Sequence, residues 1–493
     1  MALIIRNGLI VTPTTNSVRC GRGTILVERD RIARVVWAGE AIPVEPAGDD
    51  RVIDATKMLV MPGFIDAHAH FYGTLMPGLV ERLPLDMRMP YLAACFTGWE
   101  ERDTWVSALL GAVRMLRNGT TTVMENVLQG INEAEPTIRA LIASGMRAVV
   151  GPMVADRPYH ETMPGYQECL PASLREEAVG ATSGPPPEEV VAACRALARR
   201  WNGAEGRITI CLSPSTPHRC TDRMLVLIAE AAATDGLGVH THLLESRPQA
   251  AAARRLYGRT MVEHIEALGL LRAGFSGAHA VWLSDGDLDR LVESGAGVSH
   301  NPLSNLYLGS GIAPVLKLLR RGVPVGIGSD GPNCGSSTSL VEVMKLAAIV
   351  HRIGEPEGHR WPSAEHAFRM ATLGGAKVLG LERDVGSIEV GKKADIVLLD
   401  AESPGLVPLN DPVMQLVFGE TGSAVHTVVV NGDIVVEAGR PTKVNLRDLI
   451  GEAAERGERL AERVRAPLVR AARFEPYLRE TYLALIREFE DRS

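Results

Sequence analysis

The chain has 493 residues, of which 46% are hydrophobic and 23% charged, and its formal net charge is −7. This is the composition of a globular protein, and the negative charge disfavours nucleic acid as a partner because phosphate binding needs a basic surface. No apolar run approaches the ~18 residues of a membrane span. The seven cysteines form no C-x-x-C pair and the apolar start is short. We therefore expect reduced thiols, a cytoplasmic location and no membrane partner.

Both ends of the chain carry short β-strand patterns. Residues 1–58 are apolar runs broken by Asn-Gly, Arg-Gly and Arg-Asp pairs, and residues 385–445 have the same texture. Asn431 and Gly432 form a strong hairpin signal. We therefore predict one small β-sandwich domain built from both termini. Its expected strands are Leu3–Ile5, Leu9–Val11, Thr24–Glu28, Ile32–Trp37, Ala394–Leu399, Thr427–Val430 and Asp433–Ala438.

The middle of the chain, residues 59–384, alternates short apolar runs with helical patterns. Eight strand–helix repeats predict an α/β fold of the (β/α)₈ TIM-barrel type. A doubly wound open sheet is the competing interpretation, but no G-x-G-x-x-G follows the first strand. The expected barrel strands are Leu59–Met61 with Phe64–Asp66, Thr121–Met124, Ala148–Gly151, Ile208–Leu212, Gly238–His242, Phe275–His279, Gly297–His300 and Val325–Asp330.

The tail, residues 446–493, is helical and charged, and we expect a C-terminal helical extension. Its apolar positions include Leu449, Leu460 and Leu468. They are compatible with a cap on the barrel, with a subunit interface, or with a solvated helix on the parent domain.

Histidine or aspartate stands where several of these strands end. Because active sites of such barrels form at the carboxyl ends of the strands, these side chains are expected to converge on one divalent metal ion. Imidazole suits zinc, and also iron or nickel. His240 and His242 compete for one position, since either could be the ligand. The candidates are His68, His70, His240, His242, His279 and Asp330.

Glu245 stands three residues after His242, just beyond a strand end. A carboxylate there can lie beside a metal-activated water and move its proton, although a solvent-facing glutamate is the simpler alternative. His300 and Asn301 follow the seventh strand and could face the pocket, but their spacing assigns them no clear role.

At these residues the chain resembles the amidohydrolase superfamily. Within it, the chain is similar to the branch of cytosine and guanine deaminases and triazine hydrolases, which includes melamine deaminase and atrazine chlorohydrolase. The matching segments are residues 62–70, 117–122, 242–245, 277–279, 298–302, 305–309, 326–334 and 385–397.

The resemblance implies one metal, zinc or alternatively iron, held by His68, His70, His242 and Asp330. It implies catalytic roles for Glu245, His279 and Asp330, and it sets His240 aside. Relatives with two metals carry a carboxylated lysine on the fourth strand, and residues 206–213 contain no lysine.

The implied activity is metal-dependent hydrolysis, with deamination of a purine, pterin, pyrimidine or triazine as the first hypothesis. Hydrolytic dechlorination or cyclic amide (C–N) hydrolysis at the same site is the alternative, and a non-catalytic scaffold is the least favoured. We expect a small heterocyclic substrate and a homodimer or homotetramer. The predicted substrate-binding residues are Arg88, Tyr91, Trp99, His160, His300, Asn301 and Asn305.

Overall fold

The computed structural model describes residues 2–40, 46, 48–128, 130–179, 185–335 and 337–491. Strands from both chain ends form one nine-stranded sheet, in the order β18-β17-β16-β15-β5-β1-β2-β3, with β4 paired to β1. This sheet is the small β domain that the sequence predicts. Its strands are β1 (Ala2–Pro13), β2 (Val18–Glu28), β3 (Arg31–Trp37), β4 (Arg51–Asp54), β5 (Met58–Pro62), β15 (Ile396–Asp400), β16 (Val425–Val430), β17 (Asp433–Glu437) and β18 (Arg440–Pro441).

The boundary between this sheet and the barrel corrects one prediction. The run Leu59–Met61 lies in β5, which pairs with β1 and β15 and not with any barrel strand. The chain then enters the barrel through Gly63, where an added Cβ would lie 2.0 Å from Oγ1 of Thr121. Only glycine fits such a close approach, so the turn between the two units depends on this residue.

The second sheet is a closed parallel barrel. Its strand order is β10-β8-β7-β6-β14-β13-β12-β11, β9 pairs with β8, and a parallel bridge from Leu212 to Val239 joins the two ends. Because β9, Leu212 and β10 follow one another, they form a single fourth barrel strand, which gives eight strands. The strands are β6 (Phe64–Ala69), β7 (Thr120–Val127), β8 (Arg147–Val154), β9 (Ile208–Ile210), β10 (Ser213–Pro214), β11 (Val239–Leu243), β12 (Phe275–His279), β13 (Gly297–His300) and β14 (Val325–Ile327).

Helices alternate with these strands and cover the barrel. Strands β7 and β8 are buried at every position, as expected for parallel strands with helices outside and side chains inside. The helices up to the end of the barrel are α1 (Leu85–Cys95), α2 (Glu101–Arg117), α3 (Ala134–Ser144), α4 (Tyr166–Cys169), α5 (Ala172–Val179), α6 (Pro187–Trp201), α7 (Asp222–Asp235), α8 (Arg247–Tyr257), α9 (Met261–Ala267), α10 (Asp285–Ser294), α11 (Pro302–Tyr307), α12 (Val315–Arg320), α13 (Leu340–Ile349), α14 (Ala364–Arg369) and α15 (Gly375–Val378). α16 (Pro412–Phe418) lies between β15 and β16.

The C-terminal extension consists of α17 (Leu446–Arg463), α18 (Arg465–Ala472) and α19 (Glu475–Glu490). α19 packs against α1, α4 and α8, which follow the carboxyl ends of barrel strands. Leu478 and Leu485 of α19 are fully buried against Met87 and Tyr166. The extension therefore packs on the mouth of the barrel, which agrees with the cap among the three possibilities and excludes a solvated helix.

A buried ion pair joins the barrel to the terminal sheet. Arg147 of β8 donates from Nε to Oδ2 of Asp395 at 2.7 Å, and Asn431 donates its backbone N–H to the same carboxylate at 2.8 Å. Both charged side chains are buried, and the pair is completed by further hydrogen bonds, which offsets the cost of desolvation. In the part of the chain that the structure describes, we find no helix with the length and apolar character of a bilayer span.

Candidate metal centre and substrate cavity

The carboxyl ends of four barrel strands bring the predicted ligands together. His68 lies on β6, His242 on β11 and His279 at the end of β12, and Asp330 follows β14. The backbone has positive φ at His279 (69°) and Asp330 (61°), a conformation that costs energy in residues other than glycine. Such strain at strand ends is typical of functional sites, because the surrounding fold must hold it in place.

Backbone carbonyls set the proton positions of two imidazoles. Nδ1 of His70 lies 2.7 Å from the carbonyl oxygen of Asn126, and Nδ1 of His242 lies 2.6 Å from that of Ser215. A carbonyl can only accept, so each Nδ1 carries the proton and each Nε2 is left with a lone pair. The two Nε2 atoms lie 3.1 Å apart and cannot donate to each other. A cation between them would satisfy both.

His240 orients His68 in the same way. The hydroxyl of Ser276 donates to the carbonyl of Val239 and accepts from Nδ1 of His240 at 2.7 Å. Nε2 of His240 therefore accepts from Nδ1 of His68 at 2.9 Å. This leaves Nε2 of His68 as a buried lone pair with no hydrogen-bond partner among the described residues. His240 thus acts on the site through His68, a supporting position that spacing alone leaves undecided.

These atoms fit one divalent transition metal. Donor atoms of His68, His70 and His242 lie within 4.8 Å of one another, as do those of His68, His279 and Asp330. Burial lowers the pKa of all four imidazoles, so they stay neutral and can act as ligands at neutral pH. Three nitrogens and one carboxylate oxygen form a donor set that zinc accepts.

Glu245 and His279 form a buried pair beside this set. Oε2 of Glu245 lies 3.5 Å from Nε2 of His279, and both side chains are almost fully buried. Burial, with added repulsion from Asp330 and Asp86, raises the pKa of Glu245 well above its usual value. Nδ1 of His279 is held by Oδ1 of Asn305 at 2.8 Å, so its Nε2 presents a lone pair toward Glu245 and Asp330. The pair can hold and exchange one proton.

The carboxylate of Asp330 faces His70 with one oxygen and His279 with the other. Its Oδ1 lies 3.6 Å from Nε2 of His70, and its Oδ2 lies 3.8 Å from Nε2 of His279. The hydroxyl of Ser304 donates to Oδ2 at 2.5 Å. Asp330 can therefore bind a metal through one oxygen while the other faces His279.

A cavity opens from this cluster into a larger cleft. The inner cavity is lined by His70, His242, Glu245, His279 and Asp330 together with loop residues. The outer cleft, with a volume of about 960 Å³, is lined by segments after β8 and by the C-terminal extension. The two share lining residues, so a ring bound over the metal site can carry a substituent into the cleft. The shared residues are Met89, Leu92, Leu128, Met153, Tyr159, Ser215 and Arg219.

The predicted substrate-binding residues divide into two groups. Arg88 lines the inner cavity and donates to the carbonyl of Asn333 at 2.9 Å. His160 lines the outer cleft. Asn305 lies behind His279 and contacts that ring, so its position is that of a support for His279.

The other four predicted substrate residues are not among the described residues that line the inner cavity or the outer cleft, and their part in substrate binding stays a prediction. Tyr91 faces the C-terminal extension and donates to Glu475 at 2.5 Å. Trp99 donates to Thr104 at 2.8 Å and packs on Phe96. His300 and Asn301 are fully buried below the strand ends, where His300 packs on the ring of His351. Each of these predictions rested on the loop or strand that carries the residue, and chain position does not determine which way a side chain points.

Two further cavity residues were not predicted. Asp86 of α1 is buried, its pKa is raised to about 6 by burial, and its Oδ2 has no hydrogen-bond partner in the part of the chain that the structure describes. Arg219 follows β10 and lines both the cavity and the cleft. Neither residue lies in a motif, and only the packing of loops over the barrel mouth shows where they face.

Comparisons with known proteins agree with this architecture. The Amidohydrolase family matches residues 59–435. A 5'-deoxyadenosine deaminase from Methanosarcina mazei is 32% identical over 464 residues, covering 94% of this chain and 99% of that protein. A 5-methylthioadenosine/S-adenosylhomocysteine deaminase from Pelotomaculum thermopropionicum is 34% identical over 418 residues, covering 84% and 88%.

Solved structures give the same result. An adenosine deaminase from Xanthomonas campestris with bound zinc has a TM-score of 0.82 and 25% identity, covering 93% of this chain and 98% of that chain. A triazine hydrolase from Arthrobacter aurescens has a TM-score of 0.80 and 25% identity, covering 93% and 99%. The fold, the strand-end histidines and these matches together show that the chain belongs to the amidohydrolase family.

Proposed function

We propose that this protein is a metal-dependent aminohydrolase that removes an amino group from an N-heterocycle, with the adenine ring of a nucleoside as the first substrate class. The observation that carries the proposal is the convergence of unprotonated Nε2 atoms from His68, His70 and His242 beside the buried Glu245, whose pKa is raised by burial. The deaminase relatives support the choice of an adenine nucleoside over pterins, pyrimidines and triazines.

The roles of the residues follow from their protonation. His68, His70, His242 and Asp330 would hold one zinc ion, with iron as the alternative. When bound, a divalent metal lowers the pKa of water from 15.7 toward ~7 and so supplies the nucleophile. Glu245 takes up the proton that this water loses and delivers it to the ring nitrogen beside the attacked carbon.

His279 and Asp330 orient the attacking water. Their facing atoms, Nε2 and Oδ2, lie 3.8 Å apart, and both side chains are buried. A water placed between them is fixed in direction by two acceptors, and bulk water is excluded from the site. Such fixed polar groups in a dry cavity stabilise developing charge more strongly than solvent does. The amino group would then take the proton of the newly added hydroxyl and leave as ammonia, while the attacked carbon becomes a carbonyl.

Hydrolytic dechlorination is the second candidate, because a triazine hydrolase shares this fold over nearly the whole chain. Cyclic amide hydrolysis remains a third reaction that the same donors could perform. A panel of 5'-deoxyadenosine, guanine, cytosine, melamine and atrazine separates deamination from dechlorination when ammonia and chloride are both measured. Ammonia from 5'-deoxyadenosine supports the proposal. Chloride from atrazine without ammonia from any aminated ring would replace it with the second candidate.

We also propose a cytoplasmic homodimer or homotetramer. All seven cysteines are unpaired, as expected in a reducing compartment. Light scattering coupled to size-exclusion chromatography measures the subunit number, and a monomer at micromolar concentration would contradict the proposal. Fractionation of the cells that produce the protein tests its location.

A further inference from the structure

Arg219 lies at the junction of the two parts of the substrate site. It belongs to the segment that connects β10 to α7, and the same segment supplies the carbonyl of Ser215 that fixes His242. Four residues beyond that carbonyl, Arg219 lines both the inner cavity and the outer cleft. A substrate that fills both spaces must therefore pass this guanidinium.

The guanidinium of Arg219 has no anionic partner among the described residues. It takes part in no ion pair or side-chain hydrogen bond within those ranges, and its Nε is buried without a partner. Burial lowers its pKa, which reflects the cost of keeping this charge away from water. Arg147 shows the usual alternative, because its buried guanidinium is paired with Asp395 at 2.7 Å. A half-buried cation without such a partner is costly unless a ligand supplies the charge.

The rest of the cleft increases this positive charge. Arg157 and Arg470 line the same cleft, and Arg157 donates its backbone N–H to the carbonyl of Arg219 at 3.0 Å. The two acidic residues on the cleft wall already have partners. Asp156 accepts from Thr221 at 2.5 Å, and Glu177 is paired with Arg473 at 3.0 Å. The cleft thus offers donors and positive charge to whatever occupies it.

We propose that Arg219 binds an anionic group, carboxylate or phosphate, on the substituent that the heterocyclic substrate extends into the outer cleft. This inference rests on the proposed function, because the ring must lie over the metal site for its substituent to pass Arg219. The planar guanidinium can bind either oxyanion through two parallel N–H···O bonds, which fixes the substituent as well as attracting it. Arg219 is then a specificity-determining residue that selects anionic substrates over neutral ones.

The test compares three probes that share the adenine ring and the ribose. 5'-Deoxyadenosine is neutral, adenosine-5'-carboxylate carries a carboxylate, and adenosine 5'-monophosphate carries a phosphate. For the wild-type holoenzyme we expect kcat/KM to be higher for at least one anionic probe than for the neutral one. In Arg219→Gln the ratio of anionic to neutral kcat/KM should fall about ten-fold to a hundred-fold, mainly through KM. Arg219→Lys should recover part of the ratio.

Arg254→Gln is the matched control, because Arg254 is an exposed arginine at the end of α8 outside the site. It should leave the ratio unchanged. An Arg219→Gln variant that loses activity equally on neutral and anionic probes has a structural role, which overturns the proposal. The anionic probe whose kcat/KM falls in Arg219→Gln, the carboxylate or the phosphate, identifies the anion that Arg219 binds.

A second measurement does not depend on deamination. Inorganic phosphate and acetate are titrated into the wild-type holoenzyme and into Arg219→Gln by calorimetry. At least ten-fold weaker binding of one anion by the variant supports the anion site. This conclusion holds even if no adenine nucleoside is deaminated, because a failure of deamination would reject only the proposed function. Equal binding by the two proteins overturns the anion site whichever reaction the enzyme performs.

Discussion

The metal centre and the rim of the substrate cleft are built in different ways. At the centre, His68 and His70 are fixed by partners on the barrel strands, such as the carbonyl of Asn126 behind His70. At the rim, the walls come from loops and from the C-terminal extension, whose helix α19 packs on α8 although the two helices lie far apart along the chain. The difference suggests that the centre determines the reaction and the rim determines which molecule undergoes it.

Removing a ligand at the centre should have the largest effect. In His242→Ala the site loses one of the two facing Nε2 atoms, and the lone pair of His70 loses its cation. We expect the bound metal to fall below about a tenth of the wild-type content and kcat to fall at least about 10⁴-fold. Metal analysis of the purified variant and a steady-state assay measure both. A variant that keeps its metal and its activity would remove His242 from the ligand set.

Glu245→Gln should separate proton transfer from metal binding. The amide keeps the size of the side chain but cannot take up a proton, so kcat should fall about 10²- to 10⁴-fold while the metal content stays at the wild-type level. His279 should remain in place, since Asn305 holds its other nitrogen. Metal analysis and kcat are again the measurements, and full activity would exclude Glu245 from the chemistry.

Substitution of His240 tests whether a residue that orients a metal ligand is as important as the ligands themselves. In His240→Phe the ring volume is kept, but Nδ1 of His68 loses its acceptor, so His68 is free to take the wrong tautomer. We expect metal affinity to fall about 10- to 100-fold, as for other residues that orient ligands. Competition with a zinc chelator measures the affinity. Ser276→Ala should have a smaller effect in the same direction, because it removes the outermost bond of the chain.

The rim should respond least. Tyr91→Phe removes the hydrogen bond to Glu475 that ties α1 to the C-terminal extension. We expect stability to fall by about 1 kcal/mol, with kcat and metal content within about two-fold of the wild type. Thermal unfolding and the deamination assay check this result. A large rise in KM with unchanged stability would return Tyr91 to the substrate site.

The periodic apolar runs and the histidine and aspartate residues at strand ends predicted different parts of this protein. The periodic apolar runs predicted the barrel and the terminal sheet, because burial on both faces demands such runs and only a few topologies accommodate eight of them. The prediction from these runs was wrong at the boundary between the terminal sheet and the barrel. There, Leu59–Met61 has the pattern of a barrel strand but pairs in the terminal sheet. Both units bury apolar strands, so hydrophobicity alone cannot assign a strand to one of them.

The sequence by itself determined where the chemistry-bearing side chains stand relative to the strands, since a residue at the end of a parallel barrel strand faces one common mouth. It thereby brought His68, His242 and Asp330 to one place. Only the tertiary structure decided which groups hold the imidazoles in place and which residues line the cleft. The backbone carbonyls that fix the proton positions of His70 and His242 leave no pattern of side chains in the sequence. Arg219 and the C-terminal helices reach the cleft through contacts between segments far apart in the chain. Such contacts depend on packing, which no local pattern encodes.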